Sequence, residues 1–160
     1  MAEVVSPIVE ELTEEACWSL LASVDSGRIA VIAGSGVDIF PVNFLVKDRV
    51  LFFRSAPGSK LALIAEHPEV AFEADGVQRR VRWSVVVKGL AQRLNTDAEI
   101  EASGVLGLHT LDTSEKWNYV QVAPQTVSGR RFTGQRRSIA EMAKSLLGGS
   151  ASSSRGQKSV

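Results

Sequence analysis

The chain has 160 residues, of which 44% are hydrophobic and 22% charged, a composition typical of a globular domain and unlike that of disordered or collagenous chains. Its 18 basic residues balance its 18 acidic residues, so no net charge favours nucleic acid or an anionic membrane as a partner. No segment approaches the roughly 18 consecutive apolar residues of a spanning helix, and the acidic start does not resemble a signal peptide. We therefore expect a cytoplasmic protein.

The residues that usually carry protein-based catalysis or metal binding are scarce. Cys17 is the sole cysteine, which excludes an internal disulfide, and His67 and His109 are the only histidines. The chain has no Gly-x-Ser-x-Gly elbow, no phosphate-binding Walker loop and no His-Glu-x-x-His sequence. We accordingly assign no catalytic residue and no metal ligand to the protein.

The distribution of charge divides the chain into a body and a tail. Residues 134–160 carry five basic residues and one acid, which leaves 13 of the 18 basic and 17 of the 18 acidic residues in 1–133. From Gly148 the chain is rich in glycine and serine, so we expect a flexible tail over 134–160 after a single domain over 1–133. The spacing of Ile139, Met142 and Leu146 would allow a short helix in that tail.

The first half of the body predicts one helix and three strands. After a proline-containing lead-in, apolar residues at helical spacing predict a helix over about 13–23, capped by Thr13 and ended by Gly27. Three apolar runs at 29–33, 37–46 and 50–54 are separated by connectors of hairpin length, which favours a β-meander.

The second half alternates between further helices and strands. Residues 59–67 have a helical pattern that Pro68 stops, and 69–75 return to extended structure. Residues 80–88 form the clearest strand, with Trp83 facing one side and Ser84 the other, and beyond a bend at Gly89 it continues to about 94. Asp97 can cap a helix to about 106, and strands at 118–123 and 126–132 would flank a turn at Pro124–Gln125. Short connections between successive strands predict a mainly β fold, an antiparallel β-barrel with accessory helices.

One segment, Arg54-Ser55-Ala56-Pro57-Gly58-Ser59-Lys60, combines features that suit a phosphate. A strand ends there and a helix begins, so the unpaired N–H groups of the first helical turn point back over the loop. Arg54 and Lys60 add two cations, and Ser55 and Ser59 add two hydroxyl donors, which can make charge-assisted hydrogen bonds. On local sequence alone a second interpretation stays open, in which Ser59 only caps the helix and the cations are solvated.

The order of four segments, 39–44, 51–60, 70–75 and 83–89, resembles that of the pyridoxamine 5'-phosphate oxidase-like flavoproteins. More narrowly, the chain is similar to a small actinobacterial branch that ends in a Gly-Arg-Arg-Phe stretch, here residues 129–132. The resemblance covers about residues 12–133. It implies a split β-barrel, a homodimer and one flavin mononucleotide (FMN) at each of two sites in the subunit interface.

The resemblance also implies which residues contact the cofactor. Arg54, Ser55, Ser59 and Lys60 would hold the flavin phosphate, and the backbone of Val42 and Asn43 would lie along the isoalloxazine ring. Ser84 takes the place of a glutamine that touches the flavin in the oxidase proper. Trp83 precedes it, and Arg131 would reach the site from the second subunit.

The same resemblance leaves the reaction open. We find no counterpart of the basic and histidine residues with which the oxidase proper grips pyridoxamine phosphate, so vitamin B6 oxidation is not expected. Some relatives bind an 8-hydroxy-5-deazaflavin coenzyme in place of FMN. Three interpretations therefore stand: an oxidoreductase acting on a small molecule through a flavin or deazaflavin, a non-catalytic flavin-binding protein, and a barrel that keeps only the fold.

Overall fold

A computed structural model describes residues 4–108 and 118–137 of the chain. Their elements follow in the order β1 (Val4–Glu11), α1 (Glu14–Leu21), β2 (Ser26–Ala33), β3 (Gly36–Lys47), β4 (Val50–Ser55), α2 (Ser59–Glu66), β5 (Glu69–Gln78), β6 (Val81–Arg93), α3 (Asp97–Ser103), a 3-10 turn (Val105–Gly107) and β7 (Asn118–Arg137). The longest of these helices, α1 and α2, have eight residues each, and none of the described helices could span a bilayer.

The strands form one antiparallel sheet in the order β1-β7-β4-β3-β2-β5-β6. Because β7 pairs with β4 along one edge and with β6 along the other, the sheet closes on itself. β1 then joins the part of β7 that extends past β4. The fold is an antiparallel split β-barrel with accessory helices, as the sequence predicted.

Every second side chain along each strand points into the barrel, and aromatic and β-branched residues at these inward positions fill it. The rings of Phe44 and Phe72 meet edge to face, with centroids 4.6 Å apart. Helix α1 packs its buried Cys17 against β7, where a Cβ on Gly129 would lie 2.6 Å from the Cys17 Sγ. Glycine at 129 therefore lets the helix approach the sheet.

Helix α1 begins as predicted, since the Thr13 side chain accepts a hydrogen bond from the Ala16 N–H. The prediction that Gly27 ends this helix is wrong, because the C-cap is Ala22 and Gly27 lies within β2. A Cβ at Gly27 would lie 2.4 Å from the Phe72 ring. This glycine thus permits close packing between strands rather than a helix end.

The cap assigned to the third helix is also wrong. Thr96, not Asp97, is the N-cap of α3, and it forms a capping box with Glu99. The helix ends at Ser103, where Gly104 adopts a left-handed conformation, and a 3-10 turn follows. The helix is therefore shorter than predicted.

Two corrections concern strands. Residues 4–11, where the sequence predicts only a lead-in to the first helix, form β1. β1 is an edge strand, which is the position in a sheet that tolerates a proline such as Pro7. The strands predicted at 118–123 and 126–132 are one strand, since Pro124 lies at a β-bulge and not in a turn. Gly89 faces this bulge, where a Cβ would lie 2.1 Å from the Ala123 carbonyl oxygen.

The predicted tail only partly overlaps the described residues. Positions 134–137 belong to β7 and pair with β1. The proposed helix around Ile139, Met142 and Leu146 lies outside the described residues, as does His109.

Candidate functional site

The segment singled out as a phosphate site joins β4 to α2. Arg54 and Ser55 are the last residues of β4, and Ser59 is the first residue of α2. The N-cap is Gly58, which has no side chain and makes no side-chain capping bond, and Ser59 lies exposed at the next position. The interpretation in which Ser59 serves only as the N-cap therefore does not describe this helix. The N–H groups of its first turn face the loop without a side-chain acceptor.

Lys60 lies in the same first turn and is half-buried. Its Nζ lies 5.1 Å from the centroid of the Phe40 ring on β3, within the range of a cation–π contact. Burial lowers the pKa of the Lys60 ammonium from its ordinary value of 10.5, because the charged form loses water. The site thus has a cation that is partly stripped of solvent and held in place by an aromatic ring.

Arg54 and Ser55 occupy the other side of this junction. The Arg54 guanidinium donates a hydrogen bond to the carbonyl of Leu108, which follows the 3-10 turn. Ser55 is buried, and its Oγ donates to the Ala56 carbonyl at 3.1 Å. The structure therefore brings all four predicted phosphate ligands to one junction but orients them differently, with Ser59 the most open to solvent.

The two residues predicted to flank the cofactor ring lie beside this junction on β3. Phe44 is the register partner of Phe53, so Asn43 and Arg54, one residue further on, lie on the outer face of adjacent strands. Val42 turns its side chain into the core. Pairing with β4 starts at Phe44, whereas Val42 and Asn43 pair with β2. The β4-facing edge of the Val42 backbone thus opens toward the loop that follows β4.

The remaining predicted residues separate onto two faces. Ser84 points outward from β6, and its register partners are Asp75 and Arg130. Trp83 points inward and is 3% exposed. Its register partner Arg131 lies 3.9 Å from the Glu10 carboxylate, measured from Nη1 to Oε2. Trp83 and Arg131 both line a cavity of about 450 Å³.

Register places Ser84 and the β4–α2 junction in one row of outward side chains. Extending the observed pairs across the sheet, this row contains Arg54 on β4, Asn43 on β3, Ser26 on β2, Asp75 on β5 and Ser84 on β6. Four strand spacings of about 4.8 Å separate its two ends, on the order of 19 Å along the sheet. Because the sheet closes on itself through β7, this length follows the curved outer surface and is not the straight distance between the two side chains.

The row also includes polar residues that the sequence did not single out. Ser26 and Asp75 line a shared cavity of about 420 Å³, and Arg28 beside them donates to Glu73 and Asp75, each at 2.9 Å. Arg130 continues the row onto β7. Only strand register brings these residues together, and no motif in the sequence encodes it.

The other candidate groups lie away from this site. His67 is the C-cap of α2, and Cys17 is buried in α1. The pKa of the Cys17 thiol is raised, first by burial and then by the nearby Glu14 carboxylate, which keeps it protonated. In residues 4–108 and 118–137, no three histidine, cysteine or acidic side chains are arranged to hold a metal ion.

Comparison with known proteins identifies the family of this chain. The sequence profile described as "Pyridoxamine 5'-phosphate oxidase" matches residues 13–131, which is most of the chain and includes the whole β4–α2 junction. The chain belongs to the pyridoxamine 5'-phosphate oxidase family. The resemblance inferred from the order of the four segments is thereby confirmed.

Proteins that are similar to this chain in sequence or structure cover most of the same residues. A solved structure from Corynebacterium glutamicum is 37% identical, covers 79% of this chain and 99% of its own, and superposes with a TM-score of 0.72. The FAD binding protein from Mycobacterium smegmatis is 34% identical, covers 81% of this chain and 100% of its own, and has a TM-score of 0.66. An uncharacterised protein of Mycobacterium tuberculosis is 32% identical over 81% of this chain and 89% of its own.

Proposed function

We propose that this protein is a flavin-dependent oxidoreductase that binds FMN between the subunits of a homodimer and transfers hydride to or from a small molecule. The observation that carries the proposal is the β4–α2 junction, where an uncapped helix N-terminus adjoins the partly desolvated Lys60. Membership of a family in which a relative 34% identical is an FAD binding protein supports the same cofactor class.

The donor set at the junction suits a phosphate. The N–H groups of the first α2 turn and the exposed Ser59 hydroxyl supply hydrogen bonds, and the helix dipole favours an anion at this end. Lys60 and Arg54 together carry the charge that offsets a phosphate dianion. Ser55, buried beneath them, fixes the loop through its bond to Ala56.

The outer face of the barrel provides the surface for the ring. Val42 offers backbone groups at the start of the β3–β4 pairing, and Asn43 lies between the junction and β2. A bound flavin supplies the hydride-transfer chemistry. The chain's own residues then need only bind the cofactor, orient it and exclude water, which agrees with the absence of an assigned catalytic residue.

A second subunit would complete this site. Ser84 lies about 19 Å along the sheet from Arg54, and Trp83 and Arg131 face away from Ser84 in their own protomer. The outer face of β3 also exposes large apolar side chains, Val37 at 62% and Ile39 at 67%. Adjacent exposed apolar residues mark contact surfaces, and a second copy of the chain is the partner that the family resemblance implies.

A mass spectrum of the ligand released from the purified protein tests the cofactor assignment. We expect FMN. FAD would keep the binding site and the same flavin chemistry, whereas an 8-hydroxy-5-deazaflavin coenzyme would keep the site and restrict its chemistry to hydride transfer. A colourless protein that binds none of the three in titration would refute the proposal. Anaerobic mixing of the holo-protein with NADPH or a reduced deazaflavin separates an enzyme, whose absorbance bleaches or which turns over, from a non-catalytic binding protein.

Joint replacement of Ser59 and Lys60 by alanine tests where the phosphate binds. If both make charge-assisted hydrogen bonds, the double variant loses about 2–4 kcal/mol of FMN affinity. Arg49→Gln is the matched control, because Arg49 lies exposed in the turn at the opposite end of β4. Unchanged affinity in the double variant would move the phosphate to another part of the surface.

A further inference from the structure

A further polar cavity lies on the outer face of β6 and β7. Its volume is about 420 Å³, and Ser84, Val86 and Lys88 of β6 line it together with Ser128 and Arg130 of β7. Register explains the convergence, since Ser84 pairs with Arg130 and Val86 with Ser128, which turns these side chains to the same face. The cavity therefore combines two cations and two hydroxyl groups in one concave surface.

The cations of this cavity are not held in ion pairs, unlike another cation on the same face of the sheet. Arg28, two strands away, forms ion pairs with both Glu73 and Asp75 at 2.9 Å. Lys88 and Arg130 form no ion pair with any side chain that the structure describes. Glu11, the register partner of Arg130 on β1, is the one acid among the lining residues, so two cations share the cavity with one carboxylate and its net charge is positive.

The position of the cavity relates it to the proposed cofactor. Ser84 belongs both to this cavity and to the outward row that begins at Arg54. The resemblance assigns Ser84 to the flavin ring, whereas the phosphate lies at the other end of the row. Lys88 and Ser128 thus lie beyond the ring end of the site, and neither is needed for binding the cofactor phosphate.

We infer that this cavity binds the anionic group of the substrate, and that the substrate is a small molecule bearing a carboxylate or a phosphate. This inference rests on the proposed function. Lys88 and Arg130 supply the charge, and the Ser84 and Ser128 hydroxyl groups supply hydrogen bonds whose direction fixes the ligand. Val86 between them gives an apolar surface for the uncharged part of the molecule.

Site-resolved titration of the full chain tests the inference. Amide ¹H–¹⁵N spectra of the flavin-loaded protein are recorded with sodium succinate, with inorganic phosphate and with sodium chloride at matched ionic strength. We expect saturable shifts at Ser84, Ser128 and Arg130 with succinate or phosphate and not with chloride. Tighter binding of phosphate would identify a phosphomonoester substrate, and tighter binding of succinate a carboxylate. Equal shifts with chloride, or no shifts, would overturn the inference.

Because Lys88 and Arg130 are exposed, they can be replaced without loss of the fold. Lys88→Met should weaken the anion affinity about tenfold, as the loss of one hydrogen bond to a charged group predicts, and Arg130→Gln should act in the same direction. Arg93→Gln, an exposed arginine on the same strand that does not line the cavity, should leave the affinity unchanged. Equal affinity in wild type and Lys88→Met would overturn the assignment.

The titration also separates this inference from the proposed function. Flavin binding is measured by absorbance, and phosphate entering an unloaded cofactor site shifts the amides of Ser59 and Lys60 instead. If the protein binds no flavin but succinate still shifts Ser84 and Ser128, the anion site stands while the proposed function fails. If flavin binds and those amides do not respond to either anion, the inference fails alone.

Discussion

Replacement of Lys60 by methionine tests the central contact of the proposed site. Methionine keeps much of the side-chain length and the apolar contact with Phe40 but removes the charge. A hydrogen bond to a charged group contributes about 1.5–3 kcal/mol, so the Kd for FMN should rise roughly 10- to 150-fold. Since Lys60 is already partly desolvated in the free protein, little of this gain is lost to desolvation on binding, and the upper half of that range is expected.

The pH dependence of binding gives a second, independent measurement on the same residue. The pKa of Lys60 in the free protein lies below 10.5, and a bound phosphate dianion would raise it. Binding therefore takes up a proton once the pH exceeds the free-state pKa, and the affinity of wild type falls as the pH rises toward 10.5. Lys60→Met should lack this fall.

Titrations followed by the quenching of flavin fluorescence measure both effects. Ionisation of the flavin itself affects wild type and variant alike, so the difference between their pH profiles isolates Lys60. Arg49→Gln again controls for the loss of one surface charge. Parallel profiles for wild type and Lys60→Met, or an equal loss of affinity in Arg49→Gln, would refute the assignment of Lys60 to the phosphate.

Two predictions concern the scaffold. Gly129→Ala should cost about 1–3 kcal/mol in urea unfolding, because its Cβ would lie 2.6 Å from the Cys17 Sγ. Adding Cys17→Ala should recover at least about 0.5 kcal/mol as a coupling energy, and strict additivity would contradict the contact. Thr96→Ala should cost about 1 kcal/mol through loss of the α3 cap. The pKa of Glu99 is lowered by the Asn95 and Thr96 N–H groups. The stabilisation of the fold by the ionised Glu99 carboxylate is therefore complete above about pH 4.5 and is lost as the pH falls through the lowered pKa. Thermal melts of Glu99→Gln should show a weaker acid-side decline than wild type.

The elements predicted correctly are those whose signals are local. Helix α1 combines an apolar stripe with the Thr13 cap, and both lie within a dozen residues. β1 was missed because its support is remote: residues 4–11 are a strand only by pairing with 130–137. The prediction of a turn at Pro124 is wrong for a related reason, since a proline in a bulge and one in a turn have the same local sequence signal until the partner strand is known.

The same difference between local and remote signals applies to the candidate site. The phosphate junction could be predicted because its strand end, loop and helix start are contiguous in the sequence. The row that joins Arg54 to Ser84 could not, because it depends on register across five strands. Strand alternation alone, however, places Trp83 and Ser84 on opposite faces, so one flavin within one protomer does not reach both side chains.

Measuring the oligomeric state therefore tests whether a second subunit completes the site. If the outer face of β3 forms the proposed dimer contact, Ile39→Lys should dissociate the dimer without unfolding the chain, because the side chain is 67% exposed in the single copy. Sedimentation would then show monomers that release flavin, since a site completed by the second copy cannot survive its departure. Leu106→Lys, an exposed apolar residue in the 3-10 turn, should leave dimer and flavin intact. Monomers that retain flavin would show that one copy holds the whole site, and an undisturbed dimer would place the contact on another face of the barrel.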